Sequence, residues 1–331
     1  MSDAGTPETM SVPSLSVVLV TAGSFGTVRK IVRCLQAQTI CDQIELLIAV
    51  RSGAAFCAEP DALSGFKRHE IIEIGEPVHV AVAKTTAVGR ATAPVIAFTE
   101  DHCFPEPGWA EALLAAHNDG WAGVGPAVRN ANPGTAISRT AYLMHWASWM
   151  DPVARGPAQL IAWHNSSYRR TALMEVSGDL PGLFLVENFL QAALRDRGHH
   201  LYVEPAACVS HVNMSRPVPW LAHGFWGGRL YAARRVSYER SSLLQRAKRV
   251  AICPVVPLVR MWRLLRLLRR DRRLGEFMPR TLPLLAVGLL THAAGEAAGY
   301  LLGEGDAESH YSEFELFRQR DVLASDLPLL T

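Results

Sequence analysis

The sequence is poor in cysteine, and its six cysteines show no C-x-x-C spacing. This absence argues against a zinc ribbon and against the paired-cysteine framework of small secreted domains. The cysteines are scattered along the chain: Cys34, Cys41, Cys57, Cys103, Cys208 and Cys253. We expect each to be a small buried or surface residue in a protein of the reducing cytoplasm.

The chain also lacks a strong charge excess, since its net charge is only +2 over 331 residues. So small an excess does not favour nucleic acid as a partner. Residues 1–14 are polar and lack the apolar core of a secretory signal, so we expect a flexible tail there. The sequence shows no internal repeat and no low-complexity tract. Its hydrophobic fraction of 49% supplies ample material for a core.

What the sequence does contain is an alternation of short apolar runs with helical patterns. Four runs predict buried strands, at residues 15–21, 45–50, 69–74 and 93–99. Helical patterns follow the first run and occupy residues 78–90. The alternation predicts an α/β fold with a mostly parallel sheet and helices on both faces. Ligands bind beyond the carboxyl ends of such strands, so the segments after Val20, Val50 and Phe98 are the first candidates for a site.

The rest of the chain is less regular. We expect a helix at 109–117, a Gly/Pro-rich stretch at 120–134, a polar loop at 163–170, a helix at 184–197 and a strand at 201–209. Past Arg216 the sequence becomes rich in Leu, Ala, Arg and Trp with helical spacing. We therefore divide the chain into a tail (1–14), an α/β domain (15–215), a helical region (216–303) and a polar tail (304–331).

The sharpest chemical signal is Glu100-Asp101-His102, which directly follows the fourth apolar run. Unpaired carboxylates are costly to bury, so these acids do not serve a core. Acids at a strand end suit a hard divalent cation, which takes oxygen ligands and is often shared with substrate phosphates. The alternative is a solvated turn with a helix cap, and spacing alone does not decide between them.

Residues 95–109, VIAFTEDHCFPEPGW, resemble the strand, acidic motif and P-x-P-G-W turn of family 2 glycosyltransferases. Residues 16–23, SVVLVTAG, resemble the family's first strand, which holds the nucleotide, and residues 165–170 resemble its N-x-x-x-R-R acceptor loop. The ordered match spans roughly residues 15–215. It implies a GT-A fold, with a Rossmann-like, mostly parallel sheet and here a C-terminal helical extension.

The resemblance also implies a reaction, in which a nucleoside-diphosphate sugar gives its sugar to an acceptor hydroxyl by single displacement with inversion. The expected donor-binding residues are Thr21, Ala22, Gly23, Arg51, Lys84, Glu100 and Asp101. The expected residues on the acceptor or diphosphate side are His164, Asn165, Arg169 and Arg170. Guanidinium groups bind phosphates in a bidentate way, although surface arginines usually have no such specific role.

The resemblance further implies Mg²⁺ or Mn²⁺, which would stabilise the charge developing on the departing diphosphate. We expect Asp101 and the distant His211 to ligate this ion, with Glu100 as a neighbouring acid toward the ribose. A lone histidine is more often a satisfied polar residue than a ligand, and only its place in the family's ordered pattern favours His211. We consider His102 a weaker candidate for a ligand of this ion.

Glu187 is the candidate general base, because it begins a segment that resembles the family's acidic helix. It would remove a proton from the acceptor hydroxyl as that oxygen attacks the anomeric carbon. The alternative is an exposed acid in the first turn of a helix, where the helix dipole favours negative charge.

Three positions depart from the family's pattern. Arg51 stands where the family carries an aspartate that reads the base, Val186-Glu187 replaces an acidic pair, and the acidic motif is E-D-H rather than D-x-D. These departures support a second hypothesis, a catalytically silent sugar-nucleotide-binding scaffold of the same fold. A third, a nucleotidyltransferase, needs a glycine-rich phosphate loop that residues 22–26 match too weakly.

Basic and apolar residues share helical spacing between residues 260 and 273. Such a basic amphipathic helix fits an anionic membrane surface, and the alternative is a helix packed on the α/β domain with a solvated arginine face. Residues 282–302 are long enough to span a bilayer but contain His292 and Glu296, so we interpret them as an interfacial or helix-pairing segment. We expect a cytoplasmic enzyme bound peripherally to the inner face of the membrane, with a glycan or lipid-linked acceptor.

Overall fold

The computed structural model describes residues 12–331 except Pro60, Pro77 and Pro279, so most of the expected N-terminal tail lies outside the described residues. Within them the strands are β1 (Leu15–Thr21), β2 (Ile44–Val50), β3 (Arg68–Glu73), β4 (Val95–Thr99), β5 (Cys103–Pro105), β6 (Gly123–Asn130), β7 (Gly156–Ala158), β8 (Ser167–Arg169) and β9 (Leu201–His211).

The helices of the α/β domain are α1 (Phe25–Gln36), α2 (Gly53–Phe56), α3 (Val80–Arg90), α4 (Trp109–Asn118), α5 (Ala136–Trp146), α6 (Arg170–Glu175), α7 (Leu180–Leu185) and α8 (Glu187–Asp196). The helices that follow are α9 (Pro217–Tyr238), α10 (Leu243–Ile252), α11 (Val256–Arg270), α12 (Leu274–Phe277), α13 (Thr281–Leu302) and α14 (Ala307–Leu316).

The described strands form one sheet in the order β3-β2-β1-β4-β8-β6-β9-β5, with β7 paired to β9. The first four strands of this order run parallel. β8 is antiparallel to both of its neighbours, and β9 is parallel to β6 but antiparallel to β5 and β7. The predicted α/β class is confirmed. The apolar runs did not predict that β8, in the middle of the sheet, is antiparallel to its neighbours.

The central strands form because their sequences are apolar on both faces. β1 and β2 are buried along their whole length, as is typical of parallel strands covered by helices on either side. α1 buries one stripe, with Val28, Ile31 and Leu35 against the sheet. The carboxyl ends of β1, β2 and β4 therefore open at a single edge.

Two local segments have structure that the sequence pattern did not indicate. The Gly/Pro-rich stretch 120–134 contains β6, whose pairing with β9 shifts register between Pro126 and Ala127, and a proline is tolerated at such an interruption. The helix expected at 184–197 is interrupted at Val186, whose backbone is extended (φ −140°, ψ 91°). This break makes Glu187 the first residue of α8.

In the C-terminal region α9 and α13 pack side by side. Cβ atoms added at Gly228, Gly295 or Gly299 would collide with backbone atoms of the facing helix, so glycine allows this close approach. Glu296 of α13 accepts a 2.6 Å hydrogen bond from Arg260 of α11. The helix-pairing interpretation of residues 282–302 is confirmed. By length and composition α13 is also apolar enough to cross a membrane, with 44% of its apolar window buried inside the protein.

Residues 304–331, expected as a polar tail, instead fold back over the carboxyl edge of the sheet. α14 packs against α9 and α3. The backbone carbonyl of Asp321 accepts from Ser215 N–H at 3.2 Å, and the Asp326 carboxylate accepts from Asn132 Nδ2 at 3.0 Å. The segment therefore combines polar contacts at the strand ends with apolar contacts, since Leu316, Val322 and Leu330 join the core.

Candidate active site

Residues from distant parts of the sequence meet at the carboxyl edge of the parallel strands. Glu100 follows β4, and because β8 is antiparallel to β4, the loop that precedes β8 lies at the same edge. The Phe98 N–H donates a 3.0 Å hydrogen bond to the Ser166 carbonyl, which holds this loop beside the acidic turn formed by residues 100–102. His211 ends β9 and pairs with Cys103, just after the acidic turn.

Glu100 is at the centre of the polar contacts. Its Oε2 accepts a 2.9 Å hydrogen bond from Asn165 Nδ2 and lies 3.7 Å from His211 Nε2. Burial and the neighbouring Glu315 carboxylate raise the pKa of Glu100 to about 7, while the positive charges of His164 and Lys84 only partly oppose them. Two carboxylates this close cannot both ionise cheaply, so a proton or a cation beside the pair is favoured.

Asp101 and His102 engage the C-terminal segment. Arg318 Nη2 lies 3.0 Å from His102 Nε2, and because a guanidinium only donates, His102 accepts there. His102 Nδ1 then donates to Asp101 Oδ1 at 2.9 Å. Burial and Arg318 lower the pKa of His102 well below its ordinary value, which keeps it neutral. Asp101 Oδ2 is buried and makes no hydrogen bond among the described residues.

His211 is also neutral, since burial and Arg318 lower its pKa to about 3. Its Nδ1 lies 3.2 Å from Asn213 Oδ1 and donates to it, which leaves Nε2 as an acceptor. An acceptor nitrogen thus lies 3.7 Å from a carboxylate oxygen of Glu100 in buried surroundings. A cation or a proton shared between them removes the repulsion.

The donor atoms present fit a divalent cation. Glu100, His102 and His211 bring possible ligand atoms within 4.8 Å of one another, although both ring nitrogens of His102 are engaged by Arg318 and Asp101, and Glu100, His164 and Glu315 form a second such group. Asp101 belongs to neither group, so the structure associates His211 with Glu100 rather than with Asp101. Carboxylate oxygens together with an imidazole nitrogen suit Mn²⁺. Mg²⁺ prefers oxygen ligands and suits a set with fewer nitrogens.

A second buried cluster surrounds Glu187. Its Oε1 accepts from Lys84 Nζ at 2.8 Å, and its Oε2 accepts from the backbone N–H of His164 at 3.1 Å. Burial alone would raise the pKa of Glu187, but Lys84 and His164 lower it to about 2. Glu187 is 3% exposed, so it is not the exposed helix-start acid of the alternative interpretation.

His164 adopts a left-handed backbone conformation (φ 60°), which is uncommon for a residue other than glycine. Its Nδ1 lies 2.9 Å from Lys84 Nζ, so side-chain and backbone contacts both hold it. Such strain, maintained by surrounding contacts, is typical of functional sites. The expected donor-binding residue Lys84 is 2% exposed and contacts Glu187 and His164, so it supports the candidate base.

The other expected donor-binding residues lie along the same edge. Thr21 ends β1 and is buried, and its hydroxyl accepts from the Gly23 N–H at 3.1 Å, with Ala22 between them. Gly23 has to lack a side chain, because a Cβ atom would collide with Thr27 Oγ1. Arg51 follows β2, is exposed and forms a 2.8 Å ion pair with Glu76.

Arg169 and Arg170 do not reach this edge, so their expected role at the acceptor or diphosphate side was wrong. Arg169 pairs with Val95 at the start of β4, and its guanidinium donates to the carbonyls of His117 and Trp121. The physical reason is that β8 is a strand, in which each residue advances about 3.3 Å. Only His164 and Asn165, at the beginning of the expected motif, lie in the site.

Three cavities adjoin these clusters. The first, of about 340 Å³, contains Glu187 and His164 in its wall, and the second, of about 30 Å³, contains Glu100 and His211. These two share His164 and four further wall residues: His145, Trp163, His223 and Tyr311. Asp101 lines a third cavity of about 250 Å³, and Arg318 lines both the second and the third.

Two residues of the site were missed by sequence reasoning. Glu315 and Arg318 come from the segment expected as a polar tail, yet both side chains are more than nine-tenths buried. Their spacing of three residues in the sequence is the only local signal, and that spacing of opposite charges is common on solvated helices.

Comparisons with known proteins agree with the fold. Residues 16–177 match the family described as Glycosyl transferase family 2. The mannosyltransferase PcManGT from Pyrobaculum calidifontis, solved in complex with GDP-Man and Mn²⁺, has a similar fold with a TM-score of 0.54 and 13% sequence identity. The similarity covers 86% of this chain and 87% of that one. No curated protein sequence is significantly similar to the chain.

Proposed function

We propose that this chain, of which residues 16–177 match the model of glycosyl transferase family 2, transfers a sugar from a nucleotide sugar to an acceptor hydroxyl with inversion at the anomeric carbon. The observation that carries this proposal is that Glu187 and the ligand group around Glu100 line adjoining cavities with His164 in the shared wall. A single displacement needs a base beside the attacking oxygen and positive charge beside the leaving group.

We place Mg²⁺ or Mn²⁺ at Glu100 and His211, with Glu315 as a further ligand and Asp101, which lies outside this ligand group, in water-mediated contact. Glu100, Glu315 and Asp101 are buried carboxylates, and a divalent cation beside them would favour their ionised forms. When bound, the cation supplies Lewis-acid stabilisation of the charge on the departing diphosphate. The Mn²⁺ of the structurally similar mannosyltransferase supports this assignment.

Glu187 accepts the proton of the attacking hydroxyl in this proposal. Lys84 and His164 keep its carboxylate ionised at neutral pH. A hydroxyl becomes strongly acidic as its oxygen bonds to the anomeric carbon, so even a weakly basic carboxylate is an adequate acceptor at that moment. Lys84 acts as a positioning residue through Glu187, whereas Thr21, Ala22, Gly23 and Arg51 border the nucleoside at the strand ends.

We propose that the 340 Å³ cavity receives the acceptor. Its wall is largely apolar, with Trp163, Leu230, Leu264 and Leu289, and it also includes Arg260 and Arg263. Such a combination suits an amphiphilic acceptor with an anionic group, such as a lipid-linked glycan. α11 and α13 form part of this wall, so the acceptor cavity adjoins the helices expected at the membrane.

The exposed surface of the C-terminal helices supports peripheral attachment to the inner face of the cell membrane. Large apolar side chains are exposed on α10, α11 and α13: Leu243, Leu244, Ile252, Leu258, Val259, Trp262, Val287, Leu290, Leu301 and Leu302. Exposed arginines accompany them on α11, with Arg266 packed over the Trp262 ring. Apolar area beside arginines is complementary to an anionic bilayer.

Donor turnover tests the function directly. With Mn²⁺ and a membrane lipid extract, the protein is expected to release GDP or UDP from at least one nucleotide sugar, and chelation with EDTA is expected to abolish this release. His211→Ala should raise the Mn²⁺ concentration for half-maximal turnover by about 10-fold or more. His69→Ala, exposed on β3, is the control. Absence of turnover with every sugar, or full activity in EDTA, contradicts the proposal.

Vesicle binding tests the membrane proposal. The protein is expected to sediment with vesicles of phosphatidylcholine and phosphatidylserine, and Arg266→Gln/Arg269→Gln should weaken this binding by about 10- to 30-fold, since each arginine near the surface contributes about 1 kcal/mol. The matched control Arg33→Gln/Arg90→Gln removes two exposed arginines of the α/β domain. Equal losses in both double variants would refute a binding surface on α11.

A further inference from the structure

Arg318 is a buried cation that the reaction proposed above does not yet use. It is 5% exposed, and its contacts are His102 Nε2 at 3.0 Å and Glu315 Oε2 at 3.8 Å. Its Nε makes no hydrogen bond among the described residues, although it is buried. Burying a guanidinium with donors unused is costly, so the arrangement favours a ligand that accepts from them.

The cavity that Arg318 lines supplies a second anion-binding feature. Ser24, Gly26 and Thr27, in the amino-terminal turn of the 12-residue helix α1, form the facing wall of this 250 Å³ space. The amino end of a helix carries partial positive charge and free N–H groups, which favour phosphate. α1 has no acidic residue in its first turn, and the side chain of Ser24 makes no capping bond.

We propose that Arg318 and the amino-terminal turn of α1 together bind the diphosphate of the sugar donor. A guanidinium suits this task because its planar fork can donate two parallel hydrogen bonds to phosphate oxygens. Asp101 lines the same cavity. Because its carboxylate and the diphosphate are both negative, they come close favourably only when they share a cation. The inference therefore rests on the proposed function and assigns the donor's phosphates to this cavity.

Arg318 lies outside residues 16–177, the segment that matches the family. It reaches the site because residues 304–331 fold back, with Lys30 of α1 donating to the Leu329 carbonyl. The phosphate subsite is thus completed by a segment 216 positions away from His102 in the chain.

Binding of nucleosides and nucleoside diphosphates to the full chain tests this inference. The probes are guanosine, uridine, GDP and UDP, each with Mn²⁺, measured by calorimetry. Arg318→Gln is expected to weaken the diphosphate that the wild type binds by about 10- to 100-fold, as for a lost charged hydrogen bond, and to leave the matching nucleoside unchanged. Arg318→Lys, which keeps the charge without the fork, should be intermediate. Arg320→Gln, an exposed arginine stacked on Phe317, is the control and should bind as the wild type does.

Amide hydrogen exchange, measured on the wild type, gives a second test that does not depend on how a variant folds. GDP or UDP, but not the nucleoside, should slow exchange in residues 24–27 and 317–321. Unchanged diphosphate affinity in Arg318→Gln, equal loss of nucleoside and diphosphate, or absence of this protection overturns the inference while leaving the enzyme's function intact. A wild type that binds neither GDP nor UDP and turns over no sugar donor instead overturns the proposed function itself.

Discussion

Replacing Glu187 by Gln is expected to lower turnover by about 10²- to 10⁴-fold while leaving donor affinity unchanged, because a positioned base contributes about this factor. Gln keeps the size of the side chain, and its single carbonyl oxygen can accept from Lys84 or from the His164 N–H but not from both, and it cannot take a proton. The donor's phosphates are assigned to a different cavity, so binding should not depend on Glu187. Turnover of the active donor and its dissociation constant, measured on the same preparation, give both quantities.

Asp196→Asn is the matched control, because Asp196 is an exposed acid at the other end of the same helix. It should alter neither turnover nor donor affinity. Normal turnover in Glu187→Gln would assign the base to another group. A wild type that binds donor tightly but never turns it over, whatever the acceptor, would favour the catalytically silent scaffold.

Replacing Lys84 by Met is expected to cost about 3–5 kcal/mol in the free energy of unfolding at neutral pH, because it leaves Glu187 buried without its cation. The side chains of Lys84 and Glu187 are 3% and 1% exposed, so solvent does not screen this pair. The exposed Lys67→Met should change stability by less than about 0.5 kcal/mol. Urea unfolding of both variants measures the difference.

The stability loss in Lys84→Met should depend on pH. In the wild type the pKa of Glu187 is held at about 2, below its ordinary 4.5, so its ionisation stabilises the fold above about pH 4.5, and this contribution is lost as pH falls toward 2. In the variant, His164 alone opposes the effect of burial on Glu187, so the pKa of Glu187 rises. The variant then regains stability as pH falls through this raised pKa. Turnover of the variant should acquire an acid limb at the same pH.

The double variant Lys84→Met/Glu187→Met separates the ion pair from packing. Because it leaves no buried charge unpaired, it should be more stable than Lys84→Met alone. A loss of less than about 1 kcal/mol in Lys84→Met, or a loss that does not vary with pH, would show that the pair does not stabilise the fold.

The parallel half of the sheet could be predicted from the sequence because buried strands have a local signature. The runs that became β1, β2 and β4 are apolar along their whole length, and the edge where they end follows from their parallel direction. Glu100 and Asp101 were recognisable for the same reason, since acids directly after such a strand have no place in a core. β6 was missed because Gly and Pro mask its pattern.

The contacts of the site could not be predicted, because they join residues far apart in the chain. Arg169 and Arg170 were expected in the site from a motif, but the strand β8 carries them to the opposite edge of the sheet. Lys84 was expected at the donor, but the break at Val186 places Glu187 where Lys84 pairs with it.

The sequence by itself determined the α/β class, the edge where ligands bind and the residue types available for chemistry, because these depend on local periodicity and strand direction. Only the tertiary structure decided that Glu100 meets His211, that Lys84 neutralises Glu187 and that Arg318 reaches His102. These pairings depend on the path of the whole chain, including the return of residues 304–331 over the strand ends, and no local pattern encodes that path.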